Sequence, residues 1–251
     1  MIRLDGATFL LQWSVGGLGF LCVSTRRREI GVGYGWLLRG VFGTMALAAL
    51  VLGLALDPIP LREAASAAVV LATGTALAVS VARREAPDAF PLWLDAIAPA
   101  FGVIGLVAAG ADAGSPAWLS VLRTLVGAAF LGVISDSMLL GHWYLVQPGL
   151  ARRPLLELVR LAGIILPVEV AVMLIPTGMV SVLNGSIDDE YGGILGWMWL
   201  ACAVTTAGLL VVTRAALRER QYAAVMAATG LLYLAILTAF GTDLVARAVL
   251  S

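Results

Sequence analysis

Lysine is absent from the sequence, histidine occurs once, and charged residues make up only 13% of the 251 positions. Hydrophobic residues make up 61%, whereas a soluble domain has roughly half apolar and roughly a quarter charged residues. So few charged side chains cannot cover the surface of a water-soluble core of this size. The composition therefore predicts that lipid surrounds most of the chain.

Other shortages exclude several classes of site. The two cysteines, Cys22 and Cys202, are far apart and form no CxxC pair, so they indicate neither a disulfide framework nor a zinc site. The single histidine, His142, excludes a haem held by two histidines of this chain. No HExxH, GxSxG, Walker or Rossmann motif occurs, and a net charge of zero gives no reason to expect a nucleic-acid partner. We therefore predict no metal site and no cofactor bound by this chain alone, with a quinone as the one candidate ligand.

Long apolar runs are the main feature that is present. Each has roughly 20 residues or more, enough to cross about 30 Å of hydrocarbon, and each is continuously apolar rather than alternating, which favours helices over a barrel. We predict an all-α, polytopic integral membrane helix bundle of about eight transmembrane helices, forming a single transmembrane domain over residues 1–251. The predicted spans are 7–24, 36–56, 64–82, 90–110, 117–146, 154–183, 192–217 and 222–249.

The loops between these runs alternate in charge. Arginines follow the first, third, fifth and seventh spans, whereas the other loops are acidic or nearly uncharged. Because positive loops are typical of the cytoplasmic side, the alternation predicts that the N-terminus and the C-terminus both lie outside. The exclusive use of arginine, with much alanine, glycine, valine and leucine, indicates a bacterial genome and hence a multi-pass protein of the bacterial inner membrane. The arginines that set the orientation are Arg26, Arg27, Arg28, Arg83, Arg84, Arg152, Arg153, Arg214, Arg218 and Arg220.

Ionisable side chains inside three consecutive spans are the candidates for a functional site. Asp95, Asp136, His142 and Glu169 are predicted to lie in the middle and the cytoplasmic half of the membrane. A charge at the bilayer centre costs about 2.5–3.5 kcal/mol, so such groups normally face the bundle interior and pair or stay protonated. We predict a polar pocket open to the cytoplasmic leaflet. The alternative is that the three acids are ties between helices, satisfied by Ser, Thr or backbone groups.

Glu169 is the leading candidate, because no residue of opposite charge lies within one helical turn of it. Pro167 and Pro176 interrupt the backbone hydrogen bonds of the same span, and the carbonyls freed by a kink would add acceptors beside this acid. Thr177 is expected to line the same pocket, since it lies about 80° from Glu169 around a helix.

The fifth span contains most of the other candidates. Ser135 and His142 share one helix face, whereas Asp136 shares its face with Gly132. Gly127, Ala128, Ala129 and Gly132 make this helix smooth enough for a close neighbour. We therefore expect Asp136 to face a packed helix and His142 to face a cavity near the cytoplasmic interface, unless His142 is an ordinary interfacial residue. Its aromatic neighbours complete the candidate site: Trp143 and Tyr144.

A basic collar is predicted at the cytoplasmic end of the sixth span. Arg152, Arg153 and Arg160 are expected to bind anionic lipid head groups.

Three functions fit this pattern. The first is a membrane subunit of a quinone-linked electron-transfer complex, which anchors redox partner subunits and handles protons near the cytoplasmic leaflet through His142 with Asp136 or Glu169. The second is a small proton-coupled transporter that uses Glu169. The third is a structural or assembly subunit. We expect a non-catalytic or quinone-binding subunit rather than a free-standing enzyme, with membrane lipids and other subunits as partners.

Overall fold

The structure, a computed structural model, describes residues 4–175, 178–189 and 191–250. All regular secondary structure in these ranges is helical. The helices are α1 (Gly6–Thr25), α2 (Val32–Leu56), α3 (Pro60–Ala82), α4 (Leu94–Asp112), α5 (Ala117–Val146), α6 (Arg153–Leu174), α7 (Gly178–Leu183), α8 (Ile194–Arg218) and α9 (Tyr222–Leu250), with a 3-10 turn at Pro87–Ala89 before α4.

Seven of these helices are long and apolar enough to cross a membrane. They are α1, α2, α3, α4, α5, α8 and α9. The prediction of an all-α, polytopic membrane helix bundle is therefore confirmed. Helix α6 has 22 residues, but it carries two basic and two acidic side chains along its length. A total of eight spans thus stays a prediction, as does the side on which each terminus lies.

Local sequence explains where the helices begin. Asp5 caps α1, because its carboxylate accepts hydrogen bonds from the backbone N–H groups of Ala7 (3.0 Å) and Thr8 (3.2 Å). Helix α3 begins at Pro60, whose fixed φ and missing N–H suit the first helical position. Gly193 precedes α8 with φ of 86°, in the left-handed region that favours glycine.

Helices α1 and α5 form the centre of the bundle. Helix α1 packs against α2, α4 and α5, while α5 also packs against α6 and α9. The two backbones meet at Gly16 and Gly132. A Cβ atom on Gly16 would lie 1.8 Å from the carbonyl oxygen of Ala128, so only glycine allows this approach. The predicted smooth surface of the fifth span is confirmed, and the neighbour it accommodates is α1.

The bundle has two ends that differ in composition. Contacts between loops identify the arginine end, formed by the connections α1–α2, α3–α4, α5–α6 and α8–α9. Gln147, after α5, accepts a hydrogen bond from the backbone of Gly31 (3.0 Å), and Arg26, after α1, pairs with Glu157 of α6. We call the opposite end, which carries Asp5, the far end.

The sixth predicted span, 154–183, is wrong as a continuous helix. Helix α6 continues through Pro167 but ends at Leu174, and the short helix α7 follows. Arg123 of α5 binds the end of α6, because its guanidinium donates to the carbonyls of Val172 (3.1 Å) and Ile175 (2.7 Å). These carbonyls lack helical partners at the helix end. Pro176 and Thr177 lie outside the described residues.

This earlier ending corrects the predicted depth of Glu169. The acid lies five residues before Leu174, about 8 Å from the end of α6 at 1.5 Å per residue. It therefore belongs to the far half of the bundle rather than to the middle and the arginine half, where Asp95 and Asp136 lie.

Candidate functional site

A pocket of about 340 Å³ opens at the arginine end. The α1–α2 connection, the first turns of α2, the end of α3 and the segment before α4 form its walls, and Gln147 closes one side. The apolar residues that line it are Ile30, Val32, Phe90 and Leu92. Its polar side chains are Thr25, Arg28, Glu29, Arg39, Ser80, Asp88 and Gln147.

Arg39 of α2 is part of the pocket lining, and an ion pair with Asp95 of α4 holds it there. Arg39 donates to both carboxylate oxygens of Asp95, from Nε to Oδ1 (2.8 Å) and from Nη2 to Oδ2 (2.7 Å). Such a two-point pair fixes the plane of the guanidinium as well as its position. The ring of Phe90 lies 4.7 Å from the centre of this guanidinium and restricts it further. Both charged side chains are buried.

A second arginine, Arg28, connects two of the segments that line the pocket. Arg28 follows α1 and has φ of 55°, which is uncommon for a residue with a side chain. Its guanidinium donates to the carbonyl of Phe90 (2.9 Å) and lies 3.7 Å from a carboxylate oxygen of Asp88. This residue therefore links the α1–α2 connection to the segment before α4, across the pocket.

Two indole rings lie directly behind the pocket wall. Trp36 donates from Nε1 to the hydroxyl of Ser80 (3.0 Å). Trp143 donates from Nε1 to the side-chain carbonyl of Gln147 (3.1 Å). Each tryptophan thus contacts a residue that lines the pocket, so its fluorescence would report a ligand there.

The structure brings some of the predicted site residues to this pocket and leaves others elsewhere. Asp95 holds Arg39 in the pocket lining, and Trp143 supports Gln147. His142 is exposed and does not line this pocket; its Nδ1 atom lies 3.3 Å from the hydroxyl of Tyr233. Tyr144 is buried and accepts a hydrogen bond at its backbone carbonyl from Tyr222 (3.2 Å), which joins α5 to the start of α9.

Asp136 lies deeper in the bundle, as expected against a packed helix. Its side chain is fully buried, and neither carboxylate oxygen has a hydrogen-bond partner in the described part of the chain. The hydroxyl of Tyr34 donates to its backbone carbonyl (3.3 Å) instead. The neighbouring Ser135 accepts from Trp13 Nε1 (2.6 Å) and donates to the carbonyl of Leu131 (2.7 Å).

A separate group of polar side chains, the far-end cluster, joins α1, α5, α6 and α9. Its members are Gln12, Arg123, Glu169, Asp243 and Arg247. Asp243 accepts from Gln12 Nε2 (3.1 Å) and from Arg247 Nε (2.7 Å), and Arg247 also donates to the side-chain carbonyl of Gln12.

Glu169 is the member of the far-end cluster whose carboxyl oxygens form no hydrogen bond with the described residues. The charges of Asp243, Arg247 and Arg123 act on it. Nevertheless it is fully buried, and no described residue forms a hydrogen bond with either of its carboxylate oxygens. Asp136 and Glu169 therefore lack the Ser, Thr or backbone partners that the interhelical-tie alternative required of them.

The buried arginines are the residues that sequence reasoning missed. Arg39 pairs with Asp95, and Arg247 pairs with Asp243. Arg62 pairs with Asp5 and Glu63 at the far end. A signal was present, because each of these arginines interrupts or borders an apolar run and therefore needs an acidic partner. Asp243 and Glu63 lie on the same helices as Arg247 and Arg62, whereas the partner of Arg39, Asp95, lies on another helix and could not be identified from the sequence.

The predicted basic collar separates into two kinds of residue. Arg152 is occupied, because it donates to the carbonyls of Glu219, Arg220 and Gln221 and so binds the α8–α9 connection. Arg153 and Arg160 are exposed. Lipid head-group binding stays a prediction for these three residues.

Searches against protein-family models, curated proteins and solved structures find no match for this chain. Its class is therefore defined by its own architecture, which is an all-α, multi-pass membrane helix bundle with a polar pocket at its arginine end.

Proposed function

We propose that the protein is the membrane subunit of a quinone-linked electron-transfer complex and that the pocket at the arginine end receives the quinone head group. The observation that carries this proposal is the lining of the pocket, which places hydrogen-bond donors and an aromatic ring together at one end of a membrane bundle. A quinone ring is planar and apolar with two carbonyl acceptors, and its tail belongs in lipid. It therefore matches both halves of this lining.

Size and charge support the same ligand. A volume of about 340 Å³ is at the lower end of the roughly 300–1,000 Å³ found for small-molecule sites, so it suits a single substituted ring. The two arginines of the lining, Arg28 and Arg39, face Asp88 and Asp95 respectively. A neutral head group fits such balanced charges, because an anion would have to compete with these carboxylates.

Other subunits supply the electrons in this proposal, and the bundle supplies a route for protons. The buried acids of the bundle are the candidate groups for this route: Asp95, Asp136 and Glu169. The arginine end faces the cytoplasm of a bacterium, in accordance with the charge of its loops. In this proposal, protons are taken up or released near the cytoplasmic leaflet when the quinone is reduced or oxidised.

Tryptophan fluorescence tests the proposed pocket. The purified chain in nanodiscs is titrated with decylubiquinone, a neutral quinone with a ten-carbon tail. We expect saturable quenching from Trp36 and Trp143, on top of the non-saturable quenching by quinone dissolved in lipid. The variant W36F/W143F should lose the saturable part, whereas W118F, at the start of α5 and therefore at the far end of the bundle, should keep it. Purely non-saturable quenching of the wild-type chain would overturn the proposal.

Partner subunits are tested separately by gentle extraction from native membranes and mass spectrometry. The proposal expects subunits that carry haem, iron–sulfur or molybdenum cofactors in a fixed ratio to this chain. Isolation of the chain alone or as a homo-oligomer would contradict the subunit role.

A proton-coupled transporter is the second candidate, and the unpartnered carboxylates of Asp136 and Glu169 favour it. Such groups hold a proton that can be exchanged, provided water reaches them. Proteoliposomes with a pH-sensitive dye would show substrate-dependent proton flux that Glu169→Gln abolishes. If neither quinone binding nor flux is found, a structural or assembly role is left.

A further inference from the structure

One edge of the Arg39 guanidinium has no partner. Its Nε and Nη2 atoms are occupied by Asp95, whereas no residue in the described ranges accepts a hydrogen bond from Nη1. The side chain as a whole is only 5% exposed, and Arg39 lines the pocket, so this edge is reached from the pocket.

Gly35 leaves space in front of this free edge. It lies one helical turn before Arg39 in α2, and both residues line the pocket. A Cβ atom at position 35 would lie 2.8 Å from Nη1, which is closer than side-chain carbons normally come. Because position 35 has no side chain, an atom from the pocket can approach Nη1 there.

The guanidinium is also held rigidly in place. The two hydrogen bonds to Asp95 and the ring of Phe90 fix its orientation before any ligand arrives. A donor that is already oriented loses little conformational entropy when a ligand binds, so its hydrogen bond contributes more to affinity.

We infer that Arg39 Nη1 is the donor that recognises the ligand, by donating to an oxygen acceptor that enters past Gly35. This inference rests on the proposed function, and it identifies the acceptor as a carbonyl oxygen of a neutral head group. Asp95 already neutralises Arg39, Asp88 faces Arg28, and Glu29 adds a further carboxylate to the lining. The pocket therefore selects a neutral carbonyl compound over an anion with the same tail.

Two glycine substitutions on one helix test the role of the open edge. Gly35→Ala introduces a methyl group against Nη1, whereas Gly40→Ala introduces the same methyl group where no atom lies within 4 Å. Both changes favour a helix, because alanine is a better helix former than glycine, so a folding defect should not hide the comparison. Decylubiquinone affinity is measured by the saturable tryptophan quenching. We expect Gly35→Ala to lower it at least tenfold and Gly40→Ala to leave it within twofold.

Charge selection is tested with decyl phosphate as a competitor. The wild-type chain should require at least tenfold more decyl phosphate than decylubiquinone for half-occupancy of the pocket. Arg39→Lys should also weaken decylubiquinone binding at least tenfold, because an ammonium group cannot keep the two-point pair and present Nη1 as well. Size-exclusion chromatography confirms that each variant is folded.

The outcomes separate this inference from the proposed function. If the wild-type chain binds decylubiquinone and Gly35→Ala binds it equally well, the inference is overturned while quinone binding stands. Tighter binding of decyl phosphate than of decylubiquinone would overturn the selection for a neutral carbonyl. If no saturable quinone binding occurs in the wild-type chain, the proposed function fails first and the inference fails with it.

Discussion

At the arginine end, Arg39 is held by Asp95 along one edge and leaves the other edge beside a pocket, whereas at the far end Arg247 is enclosed between Asp243 and Gln12. Both arginines are buried, and both face an aspartate. They differ in what surrounds the ion pair. Gly35 keeps space open next to Arg39, while Gly127 lets Gln12 and Asp243 press against α5.

The comparison shows that residue type alone does not separate a binding site from a structural contact. A buried ion pair rarely stabilises a protein more than apolar residues of the same shape, so its presence is weak evidence for either role. A donor without a partner, next to a cavity, is stronger evidence for ligand binding. The arginine end has this feature, and the Gln12–Asp243–Arg247 group does not.

The largest expected effect comes from breaking the closed ion pair. Asp243→Ala leaves Arg247 buried without its carboxylate, which should lower the free energy of unfolding by about 3–5 kcal/mol. The double variant Asp243→Leu with Arg247→Met should recover most of this loss, because no uncompensated charge is left from the pair. Unfolding in detergent, followed by circular dichroism, gives both values. If the single variant is as stable as the wild-type chain, the pair is not the closed structural tie described above.

A smaller effect is expected at the crossing that joins the two ends. Gly16→Ala places a methyl group against the backbone of Ala128, which should cost about 1–3 kcal/mol because α1 and α5 must separate. Gly19→Ala is the matched control in the same helix, where no atom lies within 4 Å of the added carbon. Equal thermal stability of the two variants would show that the close approach is not needed.

Within the far-end cluster, Glu169 and Asp243 can be compared directly, because only Asp243 accepts hydrogen bonds from described residues. Glu169→Gln keeps the shape and replaces a carboxyl group that forms no hydrogen bond with a described residue, so we expect a change of about 1 kcal/mol or less in the free energy of unfolding. The matched variant Asp243→Asn removes a carboxylate that accepts from both Gln12 and Arg247, and it should be clearly more destabilising. The same unfolding assay applies; the reverse order would mean that Glu169 is the structural acid.

The smallest effect is expected outside the membrane helices, in the connection before α8. Backbone N–H groups of Gly193 (2.7 Å), Leu195 (2.8 Å) and Tyr191 (3.1 Å) donate to Asp189, and they lower the pKa of its carboxyl group. A lowered pKa stabilises the fold above the pKa of the unfolded chain, about 3.9, and this stabilisation is lost as the pH falls toward the folded value.

Hydrogen exchange measures this contribution. Asp189→Asn should speed amide exchange at Gly193 and Leu195 at neutral pH, and the difference from the wild-type chain should shrink as the pH falls below about 4. A difference that does not depend on pH would show that the side-chain charge is unimportant there.

The sequence predicted the buried acids of the candidate sites, but it did not predict the depth of Glu169. Asp95, Asp136 and Glu169 stood out because each is an acid in an apolar run, and all three are buried. The depth of Glu169 was misjudged because the apolar run continues beyond Leu174, where the helix ends. Periodicity measures hydrophobicity, and it does not detect an arginine on another helix that binds the freed carbonyls.

The sequence by itself determined the class of protein and the order of its helices. Lipid cannot satisfy backbone hydrogen bonds, so each long apolar run must form a helix whatever its neighbours are. Only the tertiary structure decided which polar side chains on different helices meet. Arg39 and Asp95 are 56 positions apart, and Gln12 and Asp243 are 231 apart. Such pairs depend on how each helix is rotated and which helices are adjacent, and both are set by close packing at glycines such as Gly16 and Gly132.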